Sequence, residues 1–339
     1  MTVPFLKTKF YIPPVRPGSV SRPRLIKQLN ARFRRNDGFA CRLTLISAPP
    51  GFGKTELLSE WVSGVERPVA WVSLDKDDNT PIRFWAAFIT ALQTIQPCIG
   101  ETALTVLHSS QAPPIKPILT TLINEIAEGP DALTLILDDY HVIEPQSIHE
   151  DLAFILDHLP RKLHLILSTR VEPLLPLSRL RTRHQLFELR KDDLRFTFDE
   201  ADAFLNQAME LDLSDKDVLA LTVRTEGWFA GLQMAALALQ RTLSMHGREG
   251  VHSSIEAFTG SHRYIMDYLT EQVLHHQPAH IQTFLLQTSI LDRLTGPLCD
   301  AVCCGCAATP SSSEGSAVGF WWGHKRQQSK GGGPQRVGN

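Results

Sequence analysis

Lys54 and Thr55, placed directly behind Gly51 and Gly53, are the first residues whose types and order could do chemistry. Glycines leave room for successive backbone N–H groups to curl around phosphate oxygens. The lysine supplies a mobile positive charge for β and γ phosphates, and the threonine hydroxyl is an oxygen ligand for Mg²⁺. Against the pattern GxxxxGK[ST], Gly53, Lys54 and Thr55 match, and Ala48 stands where the first glycine would be. Alanine is the smallest residue that could replace it, so the departure is mild. The candidate nucleotide-binding stretch is Ala48, Pro49, Pro50, Gly51, Phe52, Gly53, Lys54, Thr55 and Glu56. The plain alternative is a glycine-rich turn beside a lysine, without a ligand.

A second group is acidic. The run LTLILDDY, Leu133 to Tyr140, is an apolar strand ending in Asp138 and Asp139. Carboxylates at the C-terminal end of a buried strand face the crevice in which open α/β sheets bind ligands. Behind a phosphate loop, Asp138 would hold Mg²⁺ and Asp139 would orient or deprotonate the attacking water. Alone, such a pair reads as a helix cap or a turn. A third group is one residue: Arg170 closes LHLILST, where it could reach a γ phosphate or simply pair with Glu172.

These residues need elements to hold them. Leu43, Leu45 and Ile46 form a strand before the loop, and Leu57, Leu58, Trp61 and Val62 share one face of a helix after it. Further strands are read at Val69–Leu74, Leu133–Tyr140, Leu163–Thr169 and Gln185–Leu189, with helices at Pro81–Ile95, Lys116–Glu128 and Ser147–Leu159 between them. Strands alternating with helices imply one α/β domain with a parallel sheet covered on both faces. Asp75, Asp77 and Asp78 lack an EF-hand's glycine and closing glutamate, so they read as a solvated turn capping the next helix. Arg179, Arg181 and Arg183 read as a solvated basic loop.

Upstream, Lys7 to Pro23 is rich in Pro, Arg and Lys and reads as an extended arm, and Arg24 to Phe33 as a lead-in helix. Arg22 and Pro23 either pack there or sit beside a nucleotide base. Downstream of Asp199 the strand signal ends and helices follow, capped at Asp199 and Ser214, with the apolar Gly227–Leu239 and others over Ile255–His275 and Ala279–Gln287.

The chain's 339 residues allow two or three domains, and a formal charge of −2 offers no electrostatic case for nucleic-acid binding by the whole chain. No apolar run approaches a membrane span, and the N-terminus lacks a signal-peptide core, so the expectation is a cytoplasmic protein with no membrane partner. Cys299, Cys303, Cys304 and Cys306 crowd together at a spacing that matches no usual zinc site. Residues 303–339 are rich in Ser and Gly with a basic end, and read as a disordered tail or as sequence following a truncation or frame change.

FLKTKFYIPP with SRPRL, LISAPPGFGKTELLSEWV, VAWVSLD, LILDDYH, LSTR, ELRKDDLRFT, RTEGWFAGLQMAAL, FTGSHRYIMDYL and FLLQTSILDRLTGPLCDAV together resemble the N-terminal portion of the large ATP-binding LuxR-type transcriptional regulators, the maltose-regulon activator group within the signal-transduction ATPases with numerous domains. The resemblance runs from about Phe5 to Val302. It implies a P-loop NTPase with sheet order 5-1-4-3-2, a helical domain and a winged-helix region. The expected divisions are 1–40 arm and lead-in helix, 41–195 nucleotide-binding domain, 196–283 helical domain, 284–302 start of the winged helix and 303–339 tail. It also implies ATP/ADP and Mg²⁺ as cofactors, with Lys54 and Thr55 on phosphate and metal and Asp138 on Mg²⁺. Asp139 would act in hydrolysis, Arg170 as sensor, and Arg22 and Pro23 near adenine. Such proteins hydrolyse ATP slowly and self-associate with ATP and an inducer bound. Their sensor repeats and DNA-binding helix-turn-helix are not found in this sequence, so contact with DNA would run through a part it lacks. The competing readings are a stand-alone P-loop ATPase or kinase, and a truncated product without independent activity.

Overall fold

The computed structural model describes residues 5–31, 41–109, 114–129, 132–258, 263–289, 291 and 293–303. The chain divides into two compact units. Of the described residues, one unit holds those up to Ala48 and Phe52–Arg195, and the other holds Pro49–Gly51 and those from Phe196 onward.

The first unit is built on β1 (Leu43–Ser47), β2 (Val69–Ser73), β3 (Leu133–Asp138), β4 (Leu163–Thr169) and β5 (Leu186–Arg190). Every residue of β1, β3 and β4 is buried. Unbroken apolar runs rather than alternating ones follow from cover on both faces. The strands lie in the order β2-β3-β4-β1-β5, every neighbouring pair parallel, which is the expected 5-1-4-3-2. The intervening helices are α2 (Lys54–Ser63), α3 (Pro81–Gln93), α4 (Glu101–Leu107), α5 (Ile115–Glu128), α6 (Gln146–His158) and α7 (Leu177–Thr182), after a leading α1 (Pro23–Ala31). Edge strand β5 is half-buried and carries charge, with Glu188 paired to Arg181 and Arg190. Charged side chains discourage strand addition at such an edge.

Beside the central strand sits a buried polar pair. His164 on β4 is fully buried, with Nδ1 2.9 Å from the Cys41 carbonyl and Nε2 2.9 Å from Thr44 Oγ1. A carbonyl only accepts, so Nδ1 carries the proton and Nε2 accepts from the threonine hydroxyl. Burial pushes this imidazole down from 6.5 to about 4, against a smaller opposing pull from the Cys41 carbonyl. A depressed histidine stays neutral in the fold while the unfolded chain takes up a proton. Its contribution to stability is therefore full above pH 6.5 and is lost as pH falls toward 4, by about 3 kcal/mol. Equilibrium unfolding against pH checks this: His164→Gln should flatten the slope in that window.

The arm is not wholly extended. Lys7–Phe10 makes a 3₁₀ turn, which delivers Lys9 to Asp75 at 2.6 Å and to the fully buried Asp78. The acidic turn therefore does something other than the sequence suggests. Asp75 caps the short 3₁₀ helix Lys76–Asp78 in a capping box with Asp78, whereas α3 has Thr80 at its N-cap and no side-chain capping bond. Further along, Glu60 of α2 accepts from the Arg22 backbone at 3.2 Å, and the Arg22 and Arg24 guanidiniums donate to the carbonyls of Leu194 (2.7 Å) and Asp193 (2.7 Å). The arginines at 179 and 181 lie on α7 rather than in a loop, bonded to Asp157 and Glu188.

The second unit is helical: α8 (Phe198–Asp202) running into a π-helical turn Ala203–Ala208, α9 (Asp215–Thr225), α10 (Phe229–His246), α11 (Val251–Ala257), α12 (Arg263–Gln272), α13 (Ala279–Thr288) and α14 (Gly296–Val302). Ser214 caps α9 as its sequence suggests. The cap of α8 is Thr197, not Asp199: its side chain accepts from the Glu200 amide while Glu200 reaches back to the Thr197 N–H. The reciprocal Thr–Glu box satisfies two orphan amides, which outweighs a lone aspartate two residues on. Cys299 and Cys303 are buried and form no disulfide, and no metal-holding cluster occurs among the described residues; Cys304, Cys306 and the tail lie outside them.

Candidate nucleotide-binding site

The site grows from the C-terminal ends of β1, β3 and β4. After Ser47 the β1 ladder continues one step, Ala48 N–H donating to the Thr169 carbonyl at 3.2 Å. The chain then turns through Pro49–Gly51 and Phe52. Gly53 has φ 72, a left-handed conformation that glycine adopts without strain, and its carbonyl accepts the first helical bond, from Leu57, at 2.9 Å. Phe52 is buried. The N-terminus of α2, with its positive dipole end, therefore opens at Lys54.

Lys54 is itself nearly buried, and its ammonium donates to the Ala48 carbonyl across the loop at 2.7 Å. Burial pushes its pKa from 10.5 to about 8. Arg170 adds to the depression, while Asp139 and Asp138 oppose it. Arg170, at the end of β4, is thus electrostatically close to the loop lysine. Thr55 Oγ1 donates to Asp138 Oδ2 at 2.9 Å, bridging residues far apart in sequence. Burial holds the Asp138 carboxyl above its ordinary range, with Asp139 adding to the rise; the Ser168 side chain and hydrogen bonds from Thr55 and the Asp139 amide act the other way. A carboxylate in that position is one that gains by meeting a cation.

Asp139 stands differently. Its backbone is left-handed, φ 57, and its side chain is 44% exposed where that of Asp138 is buried. The next residue, Tyr140, is a buried ring whose hydroxyl lies 2.8 Å from His149 Nδ1. His141 Nδ1 comes within 3.6 Å of Asp139 Oδ1. Two adjacent carboxylates thereby have different surroundings: one is buried against the threonine hydroxyl, the other presented to solvent.

Of the residues singled out from sequence, Lys54, Thr55, Asp138, Asp139 and Arg170 come together here. Glu56 lies a little outside, 3.2 Å from Arg16, with its carboxyl raised by burial and pulled back by Arg16 and Arg22. Arg22 is buried on main-chain carbonyls, and Pro23 opens α1. Ser168 and His141 were not singled out by sequence. Ser168 hides inside an apolar strand and His141 in an ordinary turn, and neither carries a local signal.

The MalT winged helix domain family matches residues 270–310. The serine/threonine-protein kinase PknK of Mycobacterium tuberculosis is 35% identical over 305 residues, 89% of this chain and 26% of that protein. The HTH-type transcriptional regulator MalT of Serratia proteamaculans is 34% identical over 288 residues, 83% of this chain and 31% of that protein. Among solved structures, the Walker-type ATPase paby2304 of Pyrococcus abyssi aligns with TM-score 0.52 and 15% identity, over 91% of this chain and 90% of that one, a likeness of fold. No helix among the described residues is long and apolar enough to cross a membrane. Over most of its length this P-loop NTPase-fold chain is a homologue of the MalT regulators and of PknK, and it spans less than a third of either.

Proposed function

We propose that the chain is the nucleotide switch of a MalT-type transcriptional regulator, binding ATP or ADP with Mg²⁺ and hydrolysing ATP slowly. The observation that carries this reading is the meeting of Lys54, Thr55 and Asp138 at the strand ends, with Thr55 Oγ1 and Asp138 Oδ2 2.9 Å apart. Those two oxygens fit the one or two protein ligands that Mg²⁺ takes, and the bound ion would neutralise phosphate charge. Lys54, now on its own loop carbonyl, exchanges that contact for phosphate oxygens. Asp139, exposed at the same strand end, accepts a proton from water, and Arg170 reports the γ phosphate. Arg22 and Pro23 lie toward the adenine in this scheme.

The MalT relatives carry a regulator's name, and turnover in such a switch serves a change of conformation rather than metabolism. ATP-dependent self-association is the proposed output of this segment. Titration of the 339-residue chain with ADP and ATP by calorimetry, with and without Mg²⁺, tests the reading. Saturable binding strengthened by Mg²⁺ is expected, and heat changes no larger than dilution would overturn it.

A further inference from the structure

The second unit contains three residues from the loop itself, Pro49–Gly51, and what it does with them bears on phosphate binding. Trp228 is buried, 1% exposed, and its indole N–H donates to the Pro50 carbonyl at 3.0 Å. Two residues on, the Ala230 N–H donates to the Gly51 carbonyl, also at 3.0 Å. That amide belongs to the first turn of α10, whose N–H groups have no partner within the helix. The fit is close. At Gly51, φ 78, a Cβ would fall 2.6 Å from Ala230 Cβ, 2.7 Å from Tyr268 Oη and 2.8 Å from Trp228 Nε1.

A trans peptide is planar, with its C=O and N–H pointing opposite ways. Fixing the Pro50 carbonyl on Trp228 therefore fixes the Gly51 N–H away from α10. Fixing the Gly51 carbonyl on Ala230 does the same for the Phe52 N–H. We propose that Trp228, seconded by the Ala230 amide, is a positioning residue for phosphate binding, aiming the Gly51 and Phe52 N–H groups into the loop where phosphate oxygens would lie. Donors already aimed need no reorientation when the anion arrives. This rests on the nucleotide-switch reading above and adds to it a residue outside the sheet that sets the loop's affinity. Tyr268, whose ring meets Trp228 edge-on at 5.5 Å, holds the indole in place.

The test compares Trp228→Phe, replacement of Trp228 by 3-benzothienylalanine, which keeps the bicyclic ring but has no N–H, and Lys54→Ala as a reference, each in the full chain. ADP and inorganic pyrophosphate are titrated with Mg²⁺, and melting is followed with and without ADP. Both Trp228 replacements should weaken ADP and pyrophosphate about tenfold, the value of one hydrogen bond and the order it imposes. The benzothienyl chain should melt with the parent when no ligand is present and show a smaller shift with ADP. If both replacements bind as the parent does while Lys54→Ala does not, the inference is wrong and the switch reading stands. A lower melting point without ligand together with an unchanged ADP shift would make Trp228 structural only, which also overturns it. If the parent binds neither probe, the switch reading itself fails and takes the inference with it.

Discussion

Lys54→Ala is expected to weaken ATP and ADP binding on the order of a thousandfold while leaving the free chain at least as stable. The first half follows from geometry: the ammonium is nearly buried at the opening of α2, and phosphate there has its strongest cation removed. Breaking one side of a buried charge pair costs about 3–5 kcal/mol, a hundred- to several-thousandfold in affinity. The second half follows from the depressed pKa. Burial brings Lys54 down to about 8, with Arg170 adding to it, so below pH 8 the fold carries a charge at a cost that alanine does not have. Calorimetry and thermal melting separate the two. Unchanged affinity would remove phosphate binding from the proposal, and loss of affinity accompanied by unfolding would mean the lysine serves the fold.

Asp139→Asn is expected to keep ATP affinity near the parent's and slow hydrolysis by at least about a hundredfold, the usual worth of a positioned general base. The substitution is well matched to its backbone. Asp139 sits at φ 57, and asparagine is the residue besides glycine that enters this region most readily, so the turn leading into Tyr140 should survive. Removing the negative charge also removes one of the two influences that raise the Lys54 pKa, a modest effect on binding. Single-turnover hydrolysis with bound ATP reads the chemical step directly. Equal rates in variant and parent would reject Asp139 as the base.

The sheet was legible because burial on both faces leaves a plain trace: LTLIS, LTLILD and LHLILST read as apolar runs, and each is a fully buried strand. Their spatial order came from the family resemblance, since periodicity says nothing about which strand lies beside which. Local signals also failed where two caps competed. Asp199 looks like a helix cap, but Thr197 with Glu200 wins by closing a reciprocal box, and the helix then loosens into a π turn that no spacing announces. Contacts that join distant residues were least visible. Lys9 with Asp78 and the indole of Trp228 on the Pro50 carbonyl depend on tertiary placement, and each residue alone has an ordinary local reading. Trp228 was seen within GWFAGLQMAAL only as part of an apolar helix. Its indole N–H is a donor that usually takes a partner when buried, but nothing local names that partner.

The register of β1 has a consequence for synthesis. Leu43 pairs with Leu165 on one side and with Leu186 on the other, both far downstream. As the chain leaves the ribosome, β1 therefore emerges with both hydrogen-bonding edges open and keeps them open until β4 and then β5 are made. Non-local pairing of this kind is slow to form and leaves an apolar strand in need of protection meanwhile. The strand that leads into the loop is therefore among the last of the sheet to be enclosed.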